Sequence, residues 1–291
     1  MQKVLSEKVA IITGGSQGLG FEIAKKYVEA GADVMLCARD GALLDEAQKQ
    51  LLQSAASGQK IVARITDVSS PAEVDELVAE TIEALGAVHV LVNNAGIYGP
   101  KGEIEDVDWA AWVKAMEINV YGSVLMCRAV LPHFKKQGYG KIIQLSGGGA
   151  TNPLPRISAY AVSKAAIVRF AETLAEEVRG TGIDVNAVAP GALNTRMLDE
   201  ILEAGPQKVG TQFYERALKQ KESGGAPLDR GAELAVFLAS AASDGITGKL
   251  ISAVWDNWED WPQHCDDLSK TDAYTLRRIT GRDRGFDWGD K

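Results

Sequence analysis

Seven short runs rich in β-branched residues alternate with longer amphipathic stretches almost to the end of the chain. The runs lie at positions 9–13, 34–38, 61–65, 88–93, 141–145, 184–189 and 250–254; the stretches include 19–30, 72–85 and 159–179. Because the runs lack in-out alternation, each reads as a strand buried on both faces. That rhythm restricts the chain to repeated βαβ units, whose right-handed crossovers wind helices onto both sides of one parallel sheet. The expected fold is therefore α/β, a doubly wound seven-stranded parallel sheet, with ligands held beyond the carboxyl ends of the strands. One domain is expected over 1–254, with a lid region at about 192–229 that is too long for a tight connection. Residues 255–291 change composition, holding Trp255, Trp258, Trp261 and Trp288, four of the six tryptophans. This extension reads as a packed or subunit-contacting tail, or as a closure over the pocket; its last part, 277–291, is charged and reads as partly extended.

Composition excludes several partners. With 291 residues, 46% hydrophobic and 24% charged, the chain is an ordinary globular protein. A net charge of −8 disfavours a nucleic acid, which demands clustered Lys and Arg. No apolar run reaches the roughly 18 residues of a membrane span, and the start lacks a signal-peptide core. Cys37, Cys127 and Cys265, with His89, His133 and His264, share no ligand spacing, so no metal is expected. A cytoplasmic protein is the expectation.

Between the first strand and its helix lies Thr13-Gly-Gly-Ser-Gln-Gly-Leu-Gly20. Gly14, Gly18 and Gly20 let the backbone turn sharply and approach a pyrophosphate, whose charge the helix N-terminus favours. Ser16, Gln17 and Leu19 complete the turn, with Ser16 a further hydroxyl donor. At the end of the second strand, Ala38 leaves empty the corner where a carboxylate would hold an adenosine ribose. The neighbouring Arg39 suits a 2′-phosphate, so NADP(H) is expected over NAD(H). Asp40, one residue on, is the competing ribose acceptor.

Tyr160 and Lys164, in Ser158-Ala-Tyr-Ala-Val-Ser-Lys, stand four apart on a helical stretch, about 6 Å from each other at the backbone. An ammonium roughly 4 Å from a phenol, at an effective dielectric near 20, attracts the phenolate by about 4 kcal/mol. That lowers a phenol from about 10 towards neutral pH, where it can serve as an acid and base.

Taken together, residues 13–20, Asp67-Val68, Asn93-Asn94-Ala95-Gly96, Asn119, Tyr160 with Lys164, and Pro190-Gly191 with Thr195 resemble the short-chain dehydrogenase/reductase family. The resemblance covers roughly residues 5–255 and implies a Rossmann-like, nicotinamide-dependent oxidoreductase. It implies that Asp67 and Val68 meet the adenine and that Asn93, Ala95 and Gly96 line the coenzyme, Asn93 partly as a structural residue. By the same resemblance Asn119 holds a relay water. Tyr160 is the acid/base, and Lys164 binds the ribose as well as tuning the phenol. Pro190, Gly191 and Thr195 border the nicotinamide.

One position departs from the family pattern. A substrate-polarising hydroxyl usually stands thirteen residues before the tyrosine, which here is Gly147 in Leu145-Ser-Gly-Gly-Gly-Ala150. Ser146 is the expected substitute, with Thr151 a weaker one. The lid's Arg196, Lys208, Arg216, Lys219 and Lys221 form a solvated face or steer an anionic substrate. The leading expectation is interconversion of a secondary alcohol and a ketone, by a homodimer or homotetramer packed through helices near 120–134 and 159–178. The alternatives are a 3-oxoacyl thioester reductase and a non-catalytic coenzyme-binding scaffold.

Overall fold

All seven strands run parallel in the order β3-β2-β1-β4-β5-β6-β7. The computed structural model describes residues 3–288, so the ends of both terminal readings (Met1, Gln2 and 289–291) lie outside the described residues. The strands are β1 (Val9–Thr13), β2 (Asp33–Ala38), β3 (Ile61–Ile65), β4 (Val90–Asn93), β5 (Gly140–Leu145), β6 (Ile183–Ala189) and β7 (Leu250–Ser252). The seventh is shorter than its apolar run. The chain turns after Ser252, whose N–H donates to Asp256 (2.7 Å) and whose Oγ accepts from the Trp255 N–H (3.2 Å).

Helices α1 (Gly18–Glu29), α2 (Gly41–Ser54) and α3 (Pro71–Leu85) follow the first three strands. Their ends are set locally: Asp40 caps α2 by accepting the Leu43 N–H, while Pro71 opens α3 and the left-handed Gly86 closes it. A rod made of α4 (Trp109–Met116), a π-helical turn at Glu117–Tyr121 and α5 (Gly122–Gln137) leads from β4 to β5. Then come α6 (Ser158–Glu177), α7 (Arg196–Val209), α8 (Thr211–Ser223), α9 (Leu228–Ala239) and the short α10 (Cys265–Lys270).

Two apolar layers sandwich the sheet, and each strand divides its residues between them. Ala10 and Ile12 face α1, α2 and α9, whereas Val9 and Ile11 face α3, α5 and α6. Burial on both sides is why the strands read as unbroken apolar runs.

Two regions the sequence left irregular are ordered. The lid is a helical pair, α7 broken at Gly205 and α8, resting on a small third cluster of Ile157, Leu198, Ile201, Val209 and Ala217. The tail packs onto the main domain: Trp258, Trp261 and Leu268 join the α1/α9 core. Farther on, the tail runs along the β7 edge, where the Leu250 N–H donates to the Tyr274 carbonyl (2.8 Å). The buried Lys249 ammonium donates to the carbonyls of Thr271 (3.2 Å) and Ala273 (2.9 Å), and Glu172 accepts the Leu276 N–H (2.6 Å).

Removing that ammonium strands two carbonyls at a cost of about 1–3 kcal/mol. Lys249→Met, which keeps the apolar stem, is expected to lower the urea midpoint and to speed proteolysis within 271–288. Equal cleavage in both proteins means the tail is held elsewhere.

Candidate active site

The carboxyl ends of β1, β4, β5 and β6 open into one cleft of about 1080 Å³, bordered by the glycine turn at one end and by Tyr160 and the lid at the other. Parallel strands converge their loops at this end of the sheet, which is why residues far apart in sequence meet there.

Gly14 (φ 63°) and Gly18 (φ 59°) take left-handed backbone conformations, and a side chain at Gly14 would press within 3.0 Å of Ala95. Asn94 locks this turn to the end of β4. Its amide donates to the carbonyls of Thr13 (3.0 Å) and Gly14 (3.1 Å), while Thr13 Oγ1 accepts the N–H groups of Asn94 and Ala95, both at 3.0 Å. Ser16, Gln17, Gly18 and Leu19 line the cleft, as do Arg39, Asp67, Val68, Ala95, Gly96, Pro190, Gly191 and Thr195. Thr195 stands beside the turn, 3.5 Å from where a Gly18 side chain would begin.

Two residues expected at the coenzyme stand behind the cleft instead. Gly20 is buried where any side chain would collide with the Gly14 carbonyl and the Asn94 amide, so its role is close packing. Asn93 points inwards, donating to the Ser123 carbonyl (3.3 Å) and to Cys127 Sγ (3.5 Å). Its neighbour Asn94 does the work at the surface. The Asn93-Asn94 pair was visible in the sequence, but which amide faces out depends on the strand's pleat.

Asp40 is committed to capping α2, through a 3.1 Å bond from the Leu43 N–H. Arg39 is exposed at the cleft and makes no ion pair among the described residues. Burial works against the Asp67 carboxylate, but bonds from Ser69 and the charges of Lys114 and Arg39 outweigh it and hold its pKa below the ordinary value. An open glycine cradle, a free guanidinium and an ionised carboxylate along one trough fit a dinucleotide.

At the other end, Lys164 Nζ lies 5.4 Å from the centre of the Tyr160 ring and donates to the Leu145 carbonyl (2.7 Å). The expected acidification of the phenol is reversed. Burial pushes Tyr160 above its ordinary value, with a further contribution from nearby Tyr98, and burial also pulls Lys164 down to about 8. Desolvation acts on both groups and exceeds their mutual attraction at this separation.

Asn119 occupies the π-helical turn, a feature that often marks a functional position. Its Oδ1 accepts the Ile97 N–H (2.8 Å), and its amide donates to the Ile97 carbonyl (2.8 Å) and to Ser163 Oγ (2.9 Å). The side chain thereby fixes the loop segment that leads from β4 to Tyr98. It also abuts Gly96, whose missing side chain would stand 3.2 Å from Asn119 Oδ1 and 3.8 Å from Lys164 Nζ.

Gly147 does face the phenol: a Cβ there would lie 3.1 Å from the Tyr160 hydroxyl. Ser146 does not take its place. It forms part of the cleft wall, yet only 3% of it is exposed and its Oγ donates to the Lys164 carbonyl (3.2 Å). Thr151 lines the cleft but accepts from the Asn152 amide (3.0 Å). Missing from the sequence reading was Tyr98, whose ring packs on Tyr160 with centroids 4.6 Å apart. Nothing in its local pattern marked it. Trp255 and Tyr274 bring the tail to the cleft rim. Within the lid, Arg196 pairs with Glu200 and Lys221 with Asp199 (2.6 Å), as a solvated helix face does.

The model of the short chain dehydrogenase family matches residues 8–205. A human protein, dehydrogenase/reductase SDR family member 4, is 34% identical over 250 residues, covering 85% of this chain and 86% of that protein. The 2-(R)-hydroxypropyl-CoM dehydrogenase of Xanthobacter autotrophicus is 35% identical over 217 residues, 70% of this chain and 86% of its own. Among solved structures, levodione reductase superposes with a TM-score of 0.78 at 26% identity, covering 89% of this chain and 99% of that one.

The shift at Lys164 has a consequence for stability. The folded chain releases this proton near pH 8 and the unfolded chain near 10.5, so between those values unfolding takes up a proton and stability rises with pH. From about pH 7.5 to about pH 10, this one group should add about 2 kcal/mol to the unfolding free energy. Lys164→Met is expected to remove that gain in urea titrations compared across the range. An unchanged pH slope would show that the ammonium is better solvated than its burial indicates.

Proposed function

Because the chain belongs to the short-chain dehydrogenase/reductase family, and is thus an NAD(P)-dependent oxidoreductase, we propose that it interconverts a ketone and a secondary alcohol using NADP(H). The observation that carries this reading is the convergence of the glycine turn with Tyr160 and Lys164 in a single cleft. A relative named for a hydroxypropyl compound supports the alcohol class. When bound, the nicotinamide supplies or accepts the hydride.

The chain's own residues divide the remaining work. Gly14, Ser16, Gln17, Gly18 and Leu19 cradle the phosphates, with Thr195 closing over them. Asp67 and Val68 receive the adenine; Ala95, Gly96, Pro190 and Gly191 border the rest of the coenzyme. Arg39 takes the 2′-phosphate, a role supported by its free guanidinium and by the engagement of Asp40 as a helix cap. Tyr160 gives its proton to the carbonyl oxygen during reduction. Burial keeps the phenol protonated at neutral pH, so the proton that reduction consumes is in place. Lys164, still charged below about pH 8, holds the ribose hydroxyls and favours negative charge on the reacting oxygen. Asn119 orders the relay by which the phenol regains its proton, and Ser146 acts only by bracing Lys164.

We further propose a homo-oligomer built on the exposed Trp109, Tyr121 and Val162. A cytoplasmic setting fits the three free cysteines. No helix among the described residues is long and apolar enough to cross a membrane.

Tyr160→Phe is expected to cut turnover of a responsive ketone by about 10²–10⁴-fold with coenzyme binding retained. Retained turnover would dismiss the proposed chemistry. Arg39→Ala should raise the KM for NADP(H) by about tenfold or more while sparing NAD(H), the loss of one charge-assisted bond. A variant that leaves the NADP(H) KM unaltered would assign the coenzyme preference to another residue.

A further inference from the structure

A carbonyl oxygen that gains charge during hydride addition is stabilised by hydrogen-bond donors already aimed at it, and one phenol supplies only one. Beside Tyr160 the usual second hydroxyl is missing, since position 147 is glycine. Ser146 is turned to the Lys164 carbonyl, and Thr151 is exposed and engaged with Asn152. We propose that the Tyr98 hydroxyl is the second donor, sharing the substrate oxygen with Tyr160. This inference rests on the oxidoreductase reading above.

Several independent features converge on Tyr98. Its ring meets that of Tyr160 at 4.6 Å between centroids, tilted by 55°, and both residues line the cleft. Neither hydroxyl has a hydrogen-bond partner among the described residues, and neither is sealed from solvent. Two phenols with free hydroxyls on one wall leave their donors for a ligand.

The backbone around Tyr98 is also held unusually firmly. Asn119 grips both the N–H and the carbonyl of Ile97, the preceding residue. Gly99, the following one, takes a left-handed turn (φ 73°) against α4 and α6, where a side chain would press on Ala115 and Ala159. Lys101 lies 5.4 Å from the Tyr98 ring and pairs with Glu200 of the lid (3.4 Å). A donor fixed on both sides costs little reorganisation at the moment of reaction. Burial lifts its pKa to about 12, so it keeps its proton throughout, donating a hydrogen bond and leaving the proton transfer to Tyr160.

Tyr98→Phe keeps the ring and deletes only the donor. Losing one such donor costs about 10²–10³-fold in kcat. The expected result is a loss of that size, with coenzyme affinity, read by tryptophan fluorescence, unchanged. If Tyr98→Phe turns over like the parent, or if Thr151→Ala carries the loss instead, the inference is overturned. Tyr160→Phe keeps the two failures apart: an active Tyr160→Phe defeats the function itself, whereas an inactive one beside an active Tyr98→Phe defeats only the second donor.

Discussion

The site depends on an ammonium buried without a carboxylate. Lys164 is 7% exposed, and the partner that its Nζ finds is the Leu145 carbonyl at the last residue of β5. Parallel strands end with carbonyls that no further ladder uses, so the sheet provides such acceptors at its carboxyl edge. The connection runs both ways, because Ser146 Oγ, one residue beyond, donates back to the Lys164 carbonyl. Strand and helix are thus joined at two adjacent points. Tyr160, one turn earlier on α6, inherits its position from that joint. The serine that sequence pattern assigned to the substrate is a brace for the lysine.

Side-chain amides do comparable work elsewhere in the cleft by imitating the backbone. Asn94 donates to two carbonyls of the glycine turn, and Asn119 makes a two-way pairing with Ile97 like that of an added strand residue. Both bind the backbone at the ends of β1 and β4, where the strand order reverses and neighbouring loops diverge. A diverging crevice leaves backbone groups unpaired, and a planar amide can satisfy a donor and an acceptor together. The π-helical turn that presents Asn119 gives up regular helix bonding to bring this amide round.

What the sequence made legible is what depends on local pattern. Strand rhythm, the glycine turn and the four-residue spacing of Tyr160 and Lys164 are all short-range, and they located the layers and both ends of the cleft. The lid was legible only as a charged, solvated helix face and not as a pair of helices, because Gly205, Pro206 and Gly210 interrupt them and few of their residues are apolar. Their order comes from packing on Ile157 and on each other. Tyr98 was illegible for another reason: its partner lies 62 positions away, and only the folded sheet brings the rings together. The sign of the phenol's shift could not be read either. Spacing gives the attraction between two charges, but burial, which decides the balance here, belongs to the whole fold.

That balance has a chemical meaning on the proposed reading. A phenol whose pKa fell well below neutral would hold no proton to give at neutral pH, and an ammonium neutralised by a carboxylate would exert little field. Here the phenol stays protonated, and the ammonium has no countercharge beside it. In a site of low dielectric, an uncompensated positive charge favours negative charge wherever it next develops. On a bound carbonyl, that place is the oxygen rather than the phenol. The absent side chain at Gly147 then has a use as space, since a Cβ there would crowd the very hydroxyl that must reach the oxygen. Room beside the phenol admits a more substituted carbonyl, with Tyr98, whose ring packs on that of Tyr160, left as the other donor.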